Sequence, residues 1–588
     1  MDSKHVTEST SGQEDIQKTW WKEAIIYQIY PRSFQDSDGD GIGDLNGITS
    51  RLDYIQSLGV DIIWLNPIFL SPNDDNGYDI SDYREIMREF GTMEDFDRLL
   101  KEIHKREMRL VLDLVVNHTS DEHPWFEEAR KSRHNPYYNY YHWWPAEKGE
   151  PPLRLSYFDE EGNAWTYNKP TDSYYLHYFF RKQPDLNWEN PEVRQEIFDM
   201  MRFWFDKGID GFRMDSISLI AKDPSFPLID SKKYPDIFSF YAKEPRLHLY
   251  LHEMNRQVLS KYDCMSVGEG SAVMVDDVAK FVDPAREELN MLYHFDAARI
   301  RNTTLPDNPE SGIDYSLIAL KKMFTEWDKA VDKGWPSIYL GNHDQPRMVS
   351  RFGSDKDEFR ALSAKMLITF LLTMRGTPYW FAGDEIGMRN IRFDHIEDYN
   401  DIDTINRYKK AKAEGKDPQA VLDEQKETGR DNARTPFQWD RSPEAGFTAG
   451  TPWLKVNPDY TWINVADEEK DPTSILNYFK KVVSFRKENP SLIYGSYHLL
   501  DAENPQSYTF LRKTGADTYL IMLNFSPKAA ISTPGIDMSN AHVLLDNYGD
   551  RSHMAPQKDI TLRPFEAIVF QLNHPVYESF IDSLDLLE

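Results

Sequence analysis

Cysteine is nearly absent from this chain, and no apolar run is long enough to cross a bilayer. Cys264 is the single cysteine in 588 residues, so no intramolecular disulfide can form, which fits a reducing compartment. The longest apolar-rich stretches, such as 366–374, are far shorter than the roughly 20 residues of a transmembrane helix. Residues 1–20 are polar and lack the apolar centre of a signal peptide. We therefore expect a cytoplasmic protein with no membrane partner.

Basic residues are scarce relative to acidic ones. The 68 Lys and Arg face 97 Asp and Glu, which gives a net charge of −29. Recognition of a nucleic-acid backbone needs clustered basic residues, so this class of partner is excluded. Aromatic residues make up 13% of the chain, and they suit both core packing and flat ligands such as sugar rings. A monomer of several domains that binds a small molecule is the expected state.

Short apolar runs alternate with amphipathic stretches along the first two thirds of the chain. The runs are 24–30, 60–67, 108–117, 210–215, 264–270, 289–295, 337–344 and 377–385. The stretches between them include 93–106, 192–207, 246–260, 315–332 and 357–374. Apolar strands separated by helices predict a parallel sheet covered on its faces, and eight units predict a (β/α)8 TIM barrel. A doubly wound open sheet is the alternative, although no Gly-rich phosphate loop follows the first strand.

The spacing of the runs also predicts domains. Residues 1–118 and 191–499 form the catalytic barrel, and 119–190, rich in Trp, Tyr and Pro, form a subdomain inserted after strand 3. A second insertion, about 386–455, is charged and loop-like and would act as a lid. Short strands with turns from 500 to 588 predict an appended antiparallel β-sandwich.

Polar residues stand where several predicted strands end. Arg213 and Asp215 lie two residues apart in "GFRMD" and would share one face of a strand. The other polar strand ends are Asn117, His118, Glu269, Asn342, His343 and Asp344. Any one of them alone could be a helix cap or a solvated loop residue. A series at the carboxyl ends of successive barrel strands instead indicates a catalytic site.

The residue types at these strand ends suit cleavage of a glycosidic bond. A retaining glycosidase needs one ionised carboxylate as nucleophile and one protonated carboxylic acid close to it. Asp215, Glu269 and Asp344 supply carboxylates, and Arg213 would hold Asp215 ionised because an opposite charge lowers a carboxylate's pKa. A zinc site is the rival interpretation, but the chain has no HExxH motif and no Cys/His cluster.

The motifs DLVVNH, GFRMD, VGEG and LGNHD, in this order, resemble the four signature regions of the α-amylase superfamily, glycoside hydrolase family 13. Further segments, including QPDLNWENP and RDNARTPFQW, are similar to the branch of α-glucosidases, oligo-1,6-glucosidases and sucrose isomerases. The resemblance covers nearly the whole chain. It implies that Asp215 is the nucleophile, Glu269 the general acid/base, and Asp344 the third carboxylate, which grips the glucose in the cleavage subsite.

The resemblance also implies which residues bind the terminal glucose. They are Asp75, Tyr78, His118, Phe179, Gln183, Arg213, His343 and Arg430. Among these, His118 and His343 would hydrogen-bond the sugar, and Phe179 and Gln183 would line the pocket wall. Arg430 would reach in from the second insertion, and a pocket closed in this way suits removal of one terminal glucose.

The segment "DSDGDGIGD", residues 36–44, is a candidate metal loop. Three Asp at alternate positions followed by Gly copy the start of an EF-hand, but the twelfth position is Gly47 instead of Glu, so no EF-hand is present. The family resemblance implies a structural Ca²⁺, or Mg²⁺, and no organic cofactor. The implied ligands are Asp36, Asp38, Asp40, the Ile42 carbonyl and Asp44. An Asp/Gly turn without metal is the alternative.

The resemblance implies a retaining, exo-acting α-glucosidase that cleaves short oligosaccharides and sucrose-like disaccharides, with transglucosylation as a side reaction. Ser216 follows the nucleophile, where members preferring α-1,6 links often have Val, so strict α-1,6 specificity is disfavoured. Sucrose isomerases usually carry an aromatic soon after the acid/base and an Arg-x-Asp-Arg pattern. This chain has Gly270 and Ser271 and lacks that pattern, so we expect hydrolysis over isomerisation. A non-catalytic binding subunit is a more distant alternative, because all three carboxylates are present.

Overall fold

The structure is a computed structural model that describes residues 18–572 except 159–161, 235, 516, 539–540 and 552–557. Both the polar start, 1–17, and the end of the predicted β-sandwich, 573–588, lie outside the described residues. Within the described ranges, no helix is both long and apolar enough to cross a membrane.

Eight strands of the described chain pair in one parallel sheet. They are β1 (Ile26–Ile29), β2 (Ile62–Leu65), β3 (Arg109–Val115), β4 (Gly211–Asp215), β5 (Met265–Glu269), β6 (Met291–Tyr293), β7 (Ser337–Ile338) and β8 (Thr377–Phe381). Their order is β6-β5-β4-β3-β2-β1-β8-β7, so the first strand pairs with the last. The Ser337 hydroxyl donates to the Leu292 carbonyl, 3.0 Å away, and joins the two edge strands. The predicted TIM barrel is confirmed.

Side chains of the barrel strands alternate between the interior and the surrounding helices. Trp64, Val111 and Val267 belong to a buried cluster that fills the interior of the barrel. Their neighbours along the strands, such as Ile63 and Leu112, belong to the larger core under the helices. The near-continuous apolar runs of the sequence therefore reflect burial on both faces of the sheet.

The long helices around the barrel lie close to the predicted amphipathic stretches, except the last, Ile475–Glu488, which none of those stretches covers. They are Met93–Lys105, Pro191–Lys207, Arg246–Gln257, Leu317–Ala330, Arg360–Thr373 and Ile475–Glu488, with the short pair Leu45–Ser50 and Leu52–Ser57 between β1 and β2. Helix Met93–Lys105 begins in a capping box, in which the side chains of Thr92 and Asp95 each accept from the other's backbone N–H. Local sequence thus determines where this helix begins.

The two insertions differ in structure. The predicted subdomain contains a three-stranded antiparallel sheet of Trp143–Pro145, Trp165–Asn168 and Ser173–Leu176. The prediction that the second insertion is loop-like is wrong, because it contains the helices Ile402–Ala413 and Pro418–Thr428. Each is capped by an Asp, since Asp401 accepts from Thr404 N–H and Asp417 from Gln419 N–H. The boundaries predicted for all domains remain predictions.

The described C-terminal region is all-β. Five antiparallel strands form one sheet, in the order Ser496–Leu500, Ser507–Thr514, Asp517–Asn524, Ala567–Leu572 and Ala541–Asp546, and Ala530–Ser532 pairs with Ile560–Leu562 in a second, small sheet. Leu511 and Leu520 of the first sheet share a buried cluster with Ile560 and Leu562 of the second. The two sheets therefore pack face to face, as the predicted β-sandwich requires.

One buried cation, Arg512, joins this C-terminal region to the barrel, and a second, Arg486, holds barrel segments next to it. Arg512 donates at 2.6–3.2 Å to the carbonyls of Thr373, Leu492, Ile493 and Gly495. Arg486 donates at 2.6–3.0 Å to the carbonyls of Leu372, Met374, Gly376 and Leu492. The partners of both guanidinium groups are thus peptide oxygens, while the Nε of Arg486 has no partner among the described residues.

Candidate active site

Three neighbouring strands direct charged side chains into the carboxyl end of the barrel. Asp113 lies on β3, Arg213 and Asp215 on β4, and Glu269 at the end of β5. All four are buried, and Arg213 and Asp215 share a face because they are two residues apart on a strand. Buried charges are costly unless they are paired, so their contacts decide what this cluster can do.

Arg213 contacts all three carboxylates. Its Nη1 lies 2.7 Å from both Asp113 Oδ1 and Asp215 Oδ1, and its Nη2 lies 2.9 Å from Glu269 Oε1. Its Nε donates to the Tyr293 hydroxyl at 2.7 Å. One guanidinium group therefore holds the two candidate catalytic carboxyls side by side.

Burial dominates the proton affinity of these two carboxyls. It raises the pKa of Asp215 to about 6, although Arg213 pulls the value down. Burial, with the charges of Asp215 and Asp344, raises the pKa of Glu269 to about 8 against the attraction of Arg213. The expectation that Arg213 lowers the pKa of Asp215 below its usual value needs correction, because desolvation outweighs the ion pair. Between about pH 6 and pH 8, Asp215 is ionised while Glu269 keeps its proton.

Asp344 follows β7 and lies among cationic and ring nitrogens. Its Oδ1 is 2.8 Å from Arg434 Nη2 and 3.3 Å from Arg430 Nη1, and its Oδ2 is 3.0 Å from His343 Nε2. Burial alone would raise the pKa of Asp344, but these three neighbours hold it well below its usual range. Asp344 therefore stays ionised where Glu269 is protonated.

Asp75, Tyr78 and His118 form a second group of polar residues. Asp75 accepts from the Gln183 amide at 3.0 Å, and the Tyr78 hydroxyl donates to Asp113 Oδ2 at 2.9 Å. His118 Nε2 donates to the Tyr78 carbonyl at 2.9 Å. Burial lowers the pKa of His118 to about 3, so its imidazole is neutral.

A cavity of about 320 Å³ opens over these groups, a size typical of small-molecule sites. Its lining consists of Asp75, Tyr78, His118, Tyr157, Phe158, Phe179, Asp215, Ser216, Glu269, Ser271, Phe295, Arg299, Asp344, Gln345, Asp403, Thr428 and Arg430. The lining includes the three predicted catalytic carboxylates and five of the predicted glucose-binding residues.

The three other predicted glucose-binding residues, Gln183, Arg213 and His343, lie behind the cavity wall and are fully buried. His343 Nδ1 is 2.8 Å from Gln28 Nε2, and its Nε2 is 2.7 Å from the Tyr78 hydroxyl. Two expectations therefore need correction. Gln183 supports Asp75 instead of lining the wall, and both ring nitrogens of His343 already have protein partners.

The two insertions meet at the cavity. The guanidinium carbon of Arg430 lies 4.8 Å from the centre of the Phe158 ring, and the Asn406 amide donates to the Phe158 carbonyl at 2.9 Å. Arg430 is itself held by Asp401, to which its Nε donates at 2.7 Å. This contact places a bridge of protein across one side of the cavity.

Several lining residues were missed by the sequence reasoning. Phe295 and Arg299 follow β6, Tyr157 and Phe158 lie in the first insertion, and Asp403 begins a helix of the second. No motif marks these positions. The supporting residue Asp113 did have a signal, because it is a lone carboxylate inside the apolar run of β3.

The predicted metal loop gathers three of its carboxylates. Single oxygens of Asp36, Asp38 and Asp40 lie within 4.8 Å of one another, which suits a hard cation with oxygen ligands. Asp44 is not in this cluster, and its predicted role needs correction. Its carboxylate accepts from Gly47 N–H at 2.7 Å and caps helix Leu45–Ser50.

Comparison with known proteins agrees with this geometry. The family model described as "Alpha amylase, catalytic domain" matches residues 28–495. The chain belongs to the α-amylase family. An oligo-1,6-glucosidase of Parageobacillus thermoglucosidasius is 51% identical over 571 residues, covering 95% of this chain and 100% of the relative. This family member is a glycoside hydrolase.

Solved structures show the same fold. A trehalulose synthase, MutB, matches with a TM-score of 0.89 and 43% identity, covering 94% of this chain and 100% of the other. An isomaltulose synthase, SmuA from Protaminobacter rubrum, matches with a TM-score of 0.89 and 43% identity, covering 95% and 100%. Both neighbours belong to the sucrose-isomerase alternative considered from the sequence.

Proposed function

We propose that this family member is a retaining, exo-acting α-glucosidase. The observation that carries the proposal is the pair Asp215 and Glu269 on one guanidinium group, at 2.7 Å and 2.9 Å from its nitrogens. Retaining glycosidases have the closer of the two known carboxyl separations, roughly 5 Å. Two carboxyls that contact neighbouring nitrogens of one guanidinium group support that short spacing.

In the proposed mechanism, ionised Asp215 attacks the anomeric carbon while protonated Glu269 gives its proton to the leaving oxygen. Glu269 then removes a proton from water, or from a sugar hydroxyl, which breaks the glucosyl ester with net retention. The opposite protonation states of the two carboxyls between about pH 6 and pH 8 suit these roles. Ionised Asp344 would accept hydrogen bonds from hydroxyls of the bound glucose.

Exo action is supported by the contact between the two insertions. Phe158 and Arg430 bridge one side of the cavity, so a long chain could not pass through it. Asp75, Tyr78, His118 and Phe179 would then enclose the non-reducing glucose. The remaining, more open part of the cavity would hold the leaving group.

The proposed substrates are short α-linked oligosaccharides and sucrose-like disaccharides. Relatives named oligo-1,6-glucosidase are 51% and 49% identical to this chain, whereas Ser216 after the nucleophile disfavours strict α-1,6 specificity. The deciding experiment is chromatographic product analysis with sucrose, maltose and isomaltose side by side. We expect glucose and fructose from sucrose, and turnover of both glucose disaccharides.

Sucrose isomerisation is the second candidate, favoured by the solved structures of a trehalulose and an isomaltulose synthase. Against it, Gly270 and Ser271 follow Glu269 and leave no aromatic there to hold fructose. Isomaltulose or trehalulose as the main product from sucrose would replace hydrolysis with isomerisation as the function.

We also propose that Asp36, Asp38 and Asp40 bind a structural Ca²⁺, or Mg²⁺, away from the catalytic groups. Without a cation their carboxylates repel, and burial with the charges of its neighbours raises the pKa of Asp40. Removing divalent ions with a chelator should lower the melting temperature by on the order of 3 °C, and Ca²⁺ should restore it.

The matched control for the metal proposal is the double variant Asp38→Asn with Asp40→Asn. Both residues are exposed, so the fold should tolerate the change. The variant should not respond to chelator or Ca²⁺. If a chelator leaves the melting temperature of the unaltered protein unchanged, residues 36–44 form an Asp/Gly turn that binds no metal.

The monomeric state and the cytoplasmic location also remain proposals. The single cysteine and the net charge of −29 support them. Sedimentation of the purified chain would test the first, and fractionation of the source cells the second.

A further inference from the structure

Ser216, directly after Asp215, has an unusual backbone conformation. Its φ of 44° and ψ of 32° lie in the left-handed region, which residues other than Gly, Asn and Asp seldom adopt. This turn aims both polar hydrogens of Ser216 at one atom. The backbone N–H lies 2.7 Å from Glu269 Oε2, and the hydroxyl lies 3.3 Å from the same oxygen.

The carboxyl of Glu269 is hydrogen-bonded to Asp215, and its contacts with Arg213 and Ser216 divide between its two oxygens. Oε1 contacts Arg213 Nη2 at 2.9 Å, and Oε2 accepts both bonds from Ser216. We propose that Ser216 is a positioning residue for the acid/base, whose hydroxyl stabilises the ionised form of Glu269 and so sets the upper pH limit of activity. The inference deepens the proposed function and rests on Glu269 being the acid/base.

The surroundings of Glu269 show why one hydroxyl matters. The charged and titratable groups that face it are Asp113, Tyr157, Arg213, Asp215, Tyr293, Tyr339 and Asp344. Of these, Arg213 is the cation that contacts Glu269, while Arg299 and Arg430 line the same cavity. Burial together with Asp215 and Asp344 favours the protonated acid. A donor to Oε2 acts in the opposite direction, because hydrogen bonds to a carboxylate favour its charged form.

The second half of the reaction needs this stabilisation. Glu269 must return to the carboxylate before it can take a proton from water. Without the bonds from Ser216, burial and the two neighbouring carboxylates would raise the pKa of Glu269 further. A smaller fraction of Glu269 would then be ionised, and able to act as a base, at a given pH. Ser216 thus keeps one carboxyl usable in both steps.

The test compares the pH dependence of kcat/KM in the unaltered enzyme, Ser216→Ala and Ser216→Gly. Both variants remove the hydroxyl and keep the backbone N–H, and Gly also relieves the left-handed strain. We expect the alkaline limb of both profiles to move up by about half a pH unit. The acid limb, assigned to Asp215, should stay in place.

Ser218→Ala is the matched control. Ser218 lies two residues further along, and its buried hydroxyl donates to the Ser271 carbonyl at 2.6 Å without touching Glu269. Its pH profile should equal that of the unaltered enzyme. A merely structural effect of losing a buried hydroxyl would appear in this variant too.

Two failures of the inference are distinguishable. In the first, the alkaline limb of the pH profile does not move in either Ser216 variant, and Glu269→Gln is inactive. This result would overturn the role of Ser216 and leave the mechanism intact. A fully active Glu269→Gln variant would instead overturn the proposed function. If Ser216→Ala folds poorly, Ser216→Gly still decides the question.

Discussion

Asp215→Asn is expected to lower kcat at least about 10⁴-fold on every α-glucoside the enzyme accepts. An amide cannot form the glucosyl ester, so the first covalent step is lost and not merely slowed. The change preserves shape and removes one of the two carboxylates on Arg213 Nη1, so the melting temperature should change little. Initial rates and a thermal melt of the same preparation measure both quantities.

The matched control for the nucleophile is Asp113→Asn. Asp113 lies at the same 2.7 Å from Arg213 Nη1 as Asp215, but it lies outside the cavity lining. Its loss of activity should be far smaller. Equal losses in the two variants would mean that Asp215 acts through Arg213, and that the nucleophile lies elsewhere.

Glu269→Gln is expected to separate the two halves of the reaction. With a disaccharide, whose sugar leaving group needs a proton, kcat should fall about 10²–10⁴-fold. With an aryl glucoside that leaves readily, the first step should survive while the second, which needs the base, stalls. Rapid mixing should show one burst of phenolate per enzyme, and mass spectrometry one added glucosyl group.

The comparison of the two substrates contains its own control. The acid is needed only where the leaving group is poor. The loss of activity with the disaccharide, divided by the loss with the aryl glucoside, therefore reports the acid role directly. Equal losses with both substrates, and no accumulated glucosyl-enzyme, would contradict the assignment of Glu269.

Sequence reasoning brought the candidate catalytic carboxylates together because strand geometry is local. Period-two alternation alone places Arg213 and Asp215 on one face, and parallel strands bring their carboxyl ends to one edge. Asp215 and Glu269 end β4 and β5, and Asp344 follows β7, close to the predicted strand ends.

The rest of the site depends on contacts that no local pattern encodes. Phe158 and Arg430 are more than 250 residues apart and meet only because two insertions fold against each other. The buried position of His343 depends on Tyr78 and Gln28, which come from distant segments. The pKa of Asp215 is likewise raised mainly by burial. The degree of burial depends on the whole fold and cannot be read directly from the sequence.

The second insertion shows a different limit. Its many charges suggest a loop, yet Asp401 and Asp417 are helix caps. Capping signals are short, and in a segment rich in Asp and Lys they are easily lost among solvated residues. Asp403 enters the cavity lining only because the helix that Asp401 caps begins at the pocket.

The two carbonyl-bound arginines, one on a barrel helix and one in the C-terminal sheet, have a consequence for acid tolerance. Arg486 and Arg512 are held by peptide oxygens, which do not titrate, and guanidinium groups keep their charge in acid. In the proposed mechanism, by contrast, catalysis requires ionised Asp215, and burial raises the pKa of Asp215 to about 6. We therefore expect mild acidification to switch the enzyme off reversibly, while the bonds of Arg512 between the C-terminal sheet and the barrel persist.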